Sequence, residues 1–495
     1  MPAVRHATSI IITRGTKPDL KVFLVQRNPE LRFMGGYWAF PGGTLIPEDH
    51  LSGIAEPELA YLRCALRELF EETGILIGAI GKELSVAARK AIREQLLKSA
   101  SVDGWLRIVN AASPDHQELS PVGNLITPPF ASLVYDTRFY HLALAEGIIP
   151  EVVPGELVDS DFFDPDEAIN LWQRGELALA PPVLYLLRLL AGMDIPDFKT
   201  EAGRQTAKIK AGSLLPLYFV PGIFMTPLQT PTLPPATTTN TFIVGNEKLF
   251  LVEPGTHDPD EQQRLCACMD EMISAGKHFE AILLTHHHAD HVGAVTAVSR
   301  RYQLPVRAHP RTFGRIPAGY LQGTPLHDGD RIDLGNSPDG RPDWHLHVMH
   351  TPGHAVDHLC YLDSRYQAAL VGDMLSTVST IVIDPPEGHM RTYLNSLQRL
   401  LEYPIKTVFP AHGPAHQDGG RLIRKLLGHR QERENKIIQA LDTAGQTIAE
   451  LLPRVYDDTA PAVYPVAARS LLAGLLKLEE DNVCRRQQES WMLNE

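Results

Sequence analysis

The sequence predicts a multidomain chain that combines α/β and α+β architecture, and three observations carry that expectation. At 495 residues the chain exceeds one ordinary core, and length alone suggests two or three domains. Apolar, strand-like runs between 281 and 412 each give way to histidine or aspartate, which places polar chemistry at strand ends. Far upstream, residues 62–75 read as a helix with three carboxylates on one face, a separate chemistry that calls for a separate domain.

In chain order, "WAFPGG" (38–43) reads as a strand closed by a glycine turn, and "LRCALRELFEETGI" (62–75) as the helix. Helical spacing sets Leu62, Ala65, Leu66 and Leu69 along one side and Glu68, Glu71 and Glu72 along another. Clustered charge on a helix is usually a solvated face, here with Arg67 as a local partner. Three adjacent carboxylates without interleaved lysines repel one another, however, and Mg²⁺ or Mn²⁺ relieves that repulsion. The helix resembles the Nudix hydrolase box, whose second half, Arg-Glu-apolar-x-Glu-Glu-x-Gly-apolar, is matched from Arg67 to Ile75. The first half departs from it. With the box starting at Gly43, Asp49 stands where a glutamate is usual, and seventeen residues rather than seven precede Arg67. The ten-residue insertion includes "SGIAEPEL" (52–59), which reads as a surface loop. The resemblance implies that Glu71 and Glu72 bind Mg²⁺ or Mn²⁺, that Glu68 is a ligand or general base, and that Arg67 orients the glutamates. Catalysis in this domain falls to Glu68 and Glu72.

Upstream, "VQRNPELRFMGGYWAFPGG" carries Arg27, Arg32, Gly36 and Phe40 to Gly43 at a spacing similar to the coenzyme A diphosphatase branch, with Asn28 replacing the small residue usual there. Arg27 and Arg32 are the candidate substrate-binding residues, since guanidinium groups pair bidentately with phosphate oxygens. Coenzyme A-type substrates and other nucleoside diphosphate derivatives both stay open. A polar helical stretch (83–117), an alternating strand (130–144) and helices at 164–176 and 180–192 complete the domain. A boundary is expected near 205, in the polar "FKTEAGRQTAK".

The run "AILL" (281–284) reads as a short buried strand, and "THHHADH" follows it. Neutral imidazole binds zinc at about 2.0 to 2.1 Å, so His286 and His288, two apart, can turn toward a common point while Asp290 and His291 serve a second one. One strand end cannot complete two tetrahedra. Further ligands come from "MHTPGHAVDH" (His354), "LVGDM" (Asp373) and "VFPAHGP" (His412), each just beyond a β-like run. This pattern, HxHxDH followed by His, Asp and His, resembles the metallo-β-lactamase fold family at every position. The resemblance implies that His286, His288 and His354 hold one Zn²⁺ and Asp290, His291 and His412 a second, with Asp373 bridging and Asp290 also assigned to catalysis. Two such cations lower the pKa of water and polarise a substrate oxygen, which implies hydrolysis. His287 has no place in the pattern and is left as a surface residue or a neighbour of the ligands.

The Pro/Thr run at 226–241 passes for a linker by composition. Because "NTFIVGNEKLFLVEPGT" (240–256) resembles the paired first strands of this fold, with Glu253 where an aspartate is common, the run is read as a loop overhanging the metals. Beyond His412, helical segments at 421–441, 447–456 and 465–481 are similar to the winged-helix-like tail of the branch that includes lactamase-beta-like endoribonucleases and fungal polyketide thioesterases. The expected organisation is a Nudix α/β/α sandwich (1–205), a metallo-β-lactamase αββα sandwich (206–415) and a helical tail (416–495) that packs on the catalytic domain.

Composition limits the remaining classes. The 44% hydrophobic and 21% charged content is that of a globular domain, and five cysteines without a CxxC pair make no disulfide framework. A net charge of −13 disfavours nonspecific nucleic-acid binding, although RNA stays open as an alternative substrate at the zinc site. No apolar run approaches the roughly 18 residues of a membrane span, and the first residues lack a signal-peptide pattern. The expectation is a cytoplasmic bifunctional hydrolase acting on a small molecule of coenzyme A or nucleotide type. One site would cut a diphosphate and the other a thioester or ester such as acyl-coenzyme A, or the first domain would serve as a sensor of nucleotide or coenzyme A. Oligomeric state is not specified.

Overall fold

A computed structural model describes residues 4–31, 34–50, 57–77, 84–98, 102–106, 118–128, 130 and 134–494. Arg32, most of the insertion at 52–59 and most of the stretch 99–117 lie outside the described residues. The chain divides into two compact units, 1–221 and 222–495.

The first unit is built on a mixed sheet. Its central strand β1 (Val4–Arg14) pairs antiparallel with β2 (Lys21–Arg27) and parallel with a later strand, Val134–Ala143. Short strands β3 (Trp38–Ala39) and β4 (Gly42–Thr44) attach to β2 and β1, so the glycine turn lies beside the centre of the sheet. Helix α1 (Pro57–Thr73) packs on this sheet: Leu62, Ala65, Leu66 and Leu69 join Ile10, Ile12, Phe23 and Val25 in one core. Each buried aliphatic side chain contributes about 1.5–3 kcal/mol, enough to fix which side of α1 faces outward. Helix α2 (Val86–Leu97) lies beside α1, β5 (Ser120–Ile126) pairs with β6 (Val134–Ala143), and β7 (Leu157–Phe163) closes the other edge against β2. Three helices follow, α3 (Pro165–Gln173), α4 (Pro181–Gly192) and α5 (Ile195–Lys210).

The boundary expected near 205 falls inside α5. The polar stretch is helical because Asp194 caps it, accepting from the Asp197 amide at 3.0 Å, and because Phe198 and Ala202 are buried. The units part after strand β8 (Leu217–Val220), between Pro221 and Gly222.

The second unit faces two sheets together. One runs from β9 (Ile223–Gln229) through β10 (Thr238–Gly245), β11 (Lys248–Val252), β12 (His278–Leu283) and β13 (Pro305–Arg307) to β14 (Leu321–Gln322). The other holds β15 (Arg331–Gly335), β16 (Trp344–His350), β17 (Leu359–Asp363), β18 (Ala368–Gly372), β19 (Thr407–Pro410) and β20 (His416–Gln417) in that order. Phe242 and Phe409 meet edge to face between the sheets at 5.9 Å. At the mouth of the sandwich the Asn240 side-chain amide donates to the carbonyls of Pro410 and Gly413 at 2.8 and 2.7 Å. These bonds bring the end of β19, and so His412, against the first sheet. Helices α6 (Pro259–Ser274), α7 (Ala289–Val292) and α8 (Val295–Tyr302) belong to the first sheet's connections, and α9 (Met390–Leu400) buries Tyr393, Leu397 and Leu400 against the second.

A tail completes this unit. Helices α10 (Gly419–Ala440), α11 (Ile448–Val455) and α12 (Tyr464–Glu480) enclose their own core with a small sheet of β21 (Gln446–Thr447), β22 (Cys484–Gln487) and β23 (Ser490–Leu493). Ile423 of α10 and Ala473 of α12 also enter the core under α9, so the tail packs on the sandwich. No described helix is long and apolar enough to cross a membrane.

Candidate active sites

In the second unit every ligand candidate sits where a strand ends. His286 follows β12, His288 caps α7 at its N-terminus, Asp290 and His291 lie within α7, Asp373 follows β18 and His412 follows β19. Nε2 of His286 and Nε2 of His354 each lie 3.0 Å from Nδ1 of His288. Nε2 of His412 lies 3.5 Å from Asp290, and Nε2 of His291 lies 3.7 Å from it. Asp373 reaches both groups, at 3.4 Å from His354, 3.6 Å from His291 and 3.3 Å from His412.

The outer nitrogens decide the tautomers. His354 Nδ1 donates to the Val382 carbonyl at 2.9 Å and His412 Nδ1 to the Thr238 carbonyl at 3.0 Å. His291 Nδ1 donates to Glu253 at 2.9 Å. His286 Nδ1 donates to the Thr285 hydroxyl at 2.9 Å, and that hydroxyl donates onward to Glu253. Nε2 is therefore the atom that each of the four rings turns inward, where a neutral ring offers a lone pair to a cation. Buried His291 Nε2 and Asp373 Oδ1 have no hydrogen-bond partner among the described residues, so the donor set fits two divalent ions. Burial and neighbouring imidazoles hold His286 well below its ordinary pKa and His288 at about 3, which keeps both rings neutral. Burial opposes charge on His291 too, but Glu253, Asp290 and Asp373 outweigh it and push that ring well up.

His287 is half-buried beside the ligands. It contacts Asp357 at 2.9 Å and Glu387 at 3.4 Å, and Asp357 also accepts from Thr312 at 2.7 Å. Glu387 stands 3.8 Å from His288 Nε2 and pairs with Arg315 at 2.9 Å. Glu253, Asp357 and Glu387 were given no role by the sequence. Only Glu253 offered a signal, its departure from the aspartate common there. The Pro/Thr run is a loop only at 230–237, its two ends belonging to β9 and β10, and this loop reaches the site, with the Thr232 hydroxyl 3.4 Å from His412 Nε2.

In the first unit α1 presents Glu68, Glu71 and Glu72 toward the β4 turn. The Gly42 amide donates to Glu72 at 2.8 Å. A β-carbon on Gly43 would sit 2.3 Å from Glu68 Oε1, so glycine is what admits that carboxylate. Arg67 is buried and binds Asp49 at 3.0 Å, Glu68 at 2.8 Å and Glu71 at 3.5 Å. Asp49 thus anchors Arg67 from the short 3₁₀ turn Pro47–Asp49. Burial raises Glu68 to about 7, with Arg67 opposing the shift, and raises Glu72 well above its ordinary value, with Glu68 adding to it. Among the described residues, groups of three ligand atoms mutually within 4.8 Å occur only in the second unit, so the glutamates share a face without converging as tightly as the histidines. Arg27 pairs with Glu156 at 3.4 Å, whereas Arg32 lies outside the described residues.

The NUDIX domain family model matches residues 4–180, the metallo-beta-lactamase superfamily model 234–412 and the beta-lactamase associated winged helix model 447–491. The chain joins a NUDIX domain to a metallo-beta-lactamase domain. Both are hydrolase families that bind divalent metals, and the chain is a hydrolase. A beta-lactamase-like protein 2 homolog of Caenorhabditis elegans is 27% identical over 251 residues, 50% of this chain and 80% of the relative. Atrochrysone carboxyl ACP thioesterase nsrC of Aspergillus novofumigatus is 28% identical over 233 residues, 44% of this chain and 66% of the relative. Among solved structures, a metallo-beta-lactamase family protein from Thermus thermophilus is 20% identical with a TM-score of 0.46, covering 56% of this chain and all of its own. A NUDIX hydrolase from Alicyclobacillus acidocaldarius is 25% identical with a TM-score of 0.35, covering 40% of this chain and 97% of its own.

Proposed function

We propose that the chain is a bifunctional metal-dependent hydrolase whose NUDIX site cleaves a diphosphate of coenzyme A or nucleotide type and whose metallo-beta-lactamase site hydrolyses a thioester or ester such as acyl-coenzyme A. One observation carries the second half, two inward-facing ligand groups that share Asp373, and the likeness to proteins named as ACP thioesterases supports the choice of bond.

On this reading His286, His288 and His354 hold one Zn²⁺, Asp290, His291 and His412 the other, and Asp373 serves both. When bound, the two ions make water nucleophilic near neutral pH and polarise the carbonyl. The protein's own part is orientation: Glu253, Val382, Thr238 and Thr285 aim the rings, and Thr232 supplies a hydroxyl at the edge of the site. In the NUDIX domain Glu71 and Glu72 are the assigned Mg²⁺ or Mn²⁺ ligands, and Glu68, held near neutrality by burial, suits proton acceptance from water. Arg67 fixes Glu68 against Asp49, and Arg27 would exchange Glu156 for phosphate oxygens, with Arg32 as its partner.

The test is mass spectrometry of products from acetyl- and longer acyl-coenzyme A with Zn²⁺ and Mn²⁺ present, using Glu72→Gln and His288→Ala. Free thiol lost only in His288→Ala, and phosphopantetheine fragments lost only in Glu72→Gln, are expected. Intact acyl-coenzyme A together with cutting of single-stranded RNA that His288→Ala abolishes would replace the thioester by a phosphodiester.

A further inference from the structure

The loop from Asp373 to α9 meets the metal site on one side and the tail on the other. Three successive residues divide the work. The Ile381 carbonyl accepts from the Arg430 guanidinium of α10 at 2.5 Å, and the Ile383 amide donates to the Ser470 hydroxyl of α12 at 3.4 Å. Val382, between them, offers its carbonyl to His354 Nδ1 at 2.9 Å. The backbone group that sets the tautomer and tilt of His354 is thus held on both flanks by the C-terminal helices. Further contacts secure the same loop: Arg469 pairs with Asp384 at 3.1 Å, and Glu480 with His389 at 2.7 Å. Glu387, the carboxylate facing His288, lies between them in sequence.

Arg430 has a second route to the site. It is buried, and its guanidinium lies over the Tyr393 ring at 5.2 Å. The Tyr393 hydroxyl donates to the Met374 carbonyl at 2.7 Å, one residue past Asp373. The Tyr393 backbone presses so close to Gly353, the neighbour of His354, that a β-carbon there would lie 2.3 Å from it.

We propose that Arg430 is a positioning residue for the metal group of His286, His288 and His354, and that the C-terminal helices tune that group through residues 381–383. The proposal rests on the reading of His354 as a metal ligand. An arginine that served stability alone would affect both metal groups or neither. A positioning residue affects one more than the other, because Val382 touches His354 alone and the route through Met374 meets only the shared Asp373, whereas His291 and His412 are aimed by Glu253 and Thr238.

The experiment follows zinc release to a colorimetric chelator from full-length protein, with metal content by mass spectrometry and the NUDIX diphosphatase rate as a control in the same chain. Wild type is expected to release two zinc ions in two phases. Arg430→Met should speed one phase by about tenfold, the scale on which partners of ligand histidines act, move the other phase by clearly less, and leave the diphosphatase rate unchanged. Arg430→Lys, which keeps one donor for Ile381, should fall between them. If Arg430→Met does not fold, Ser470→Ala and Arg430→Lys carry the test, and each should speed the same phase. Equal release rates in all variants, or both phases changing by the same factor, would overturn the proposal. Wild type that holds no zinc would remove the ligand reading, and the proposal with it.

Discussion

Glu253 adopts φ 54°, a left-handed conformation that costs a residue with a β-carbon about 1–2 kcal/mol. The conformation is retained where the buried carboxylate accepts from both His291 and Thr285. Glu253→Ala should therefore lower zinc affinity by about 10- to 100-fold, chiefly at the group of His291, as read by chelator competition. Unchanged affinity would mean the packing around His291 is enough. His141 supports a prediction about pH. It is buried on β6 against Thr13 at 2.8 Å, and burial depresses its pKa to about 4. A histidine kept neutral in the fold stabilises it above the unfolded pKa of about 6.5, and that stability drains as pH falls toward 4. The loss reaches up to about 3 kcal/mol at about 1.4 kcal/mol per unit. Denaturant melts of the wild type between pH 7 and 4.5 should show this slope, and His141→Gln should flatten it.

Helix α1 joins fold to chemistry, since its apolar side enters the core and its acidic side faces the β4 turn. Arg67 is enclosed with Asp49 and Glu68, and removing one member of a buried ionic group typically costs about 3–5 kcal/mol. Arg67→Ala should destabilise the NUDIX domain by that order in chemical denaturation, while a loss below about 1 kcal/mol would place the pair in a wetter setting than its burial implies. Much of this element was legible beforehand. Period 3.6 places Leu62, Ala65, Leu66 and Leu69 inside, and the ligand candidates His286 to His412 follow apolar runs that the structure makes into strand ends. What escaped the sequence depends on contacts distant in the chain. Asp357 and Glu387 meet His287 from 70 and 100 positions away, and no spacing encodes such a meeting. The stretch around 205 differs for another reason: polarity there marks the solvated side of a capped helix rather than the expected boundary.

At the scale of the whole chain, the division after Pro221 predicts that the two units melt separately. Chelation of zinc should lower one calorimetric transition and leave the other in place, and His288→Ala should reproduce the shift without chelator. A single transition moved by both treatments would show the units to be energetically one. The packing of the tail on the sandwich also has a temporal side. Ribosomal synthesis delivers all the histidine and aspartate candidates by residue 412, yet Arg430 and Ser470, which brace the backbone around Val382, emerge later. At typical translation rates the interval to Ser470 is on the order of several seconds. For that time the nascent chain carries every candidate ligand without the contacts of α10 and α12, so on the proposed reading His354 gains its brace only after these helices emerge.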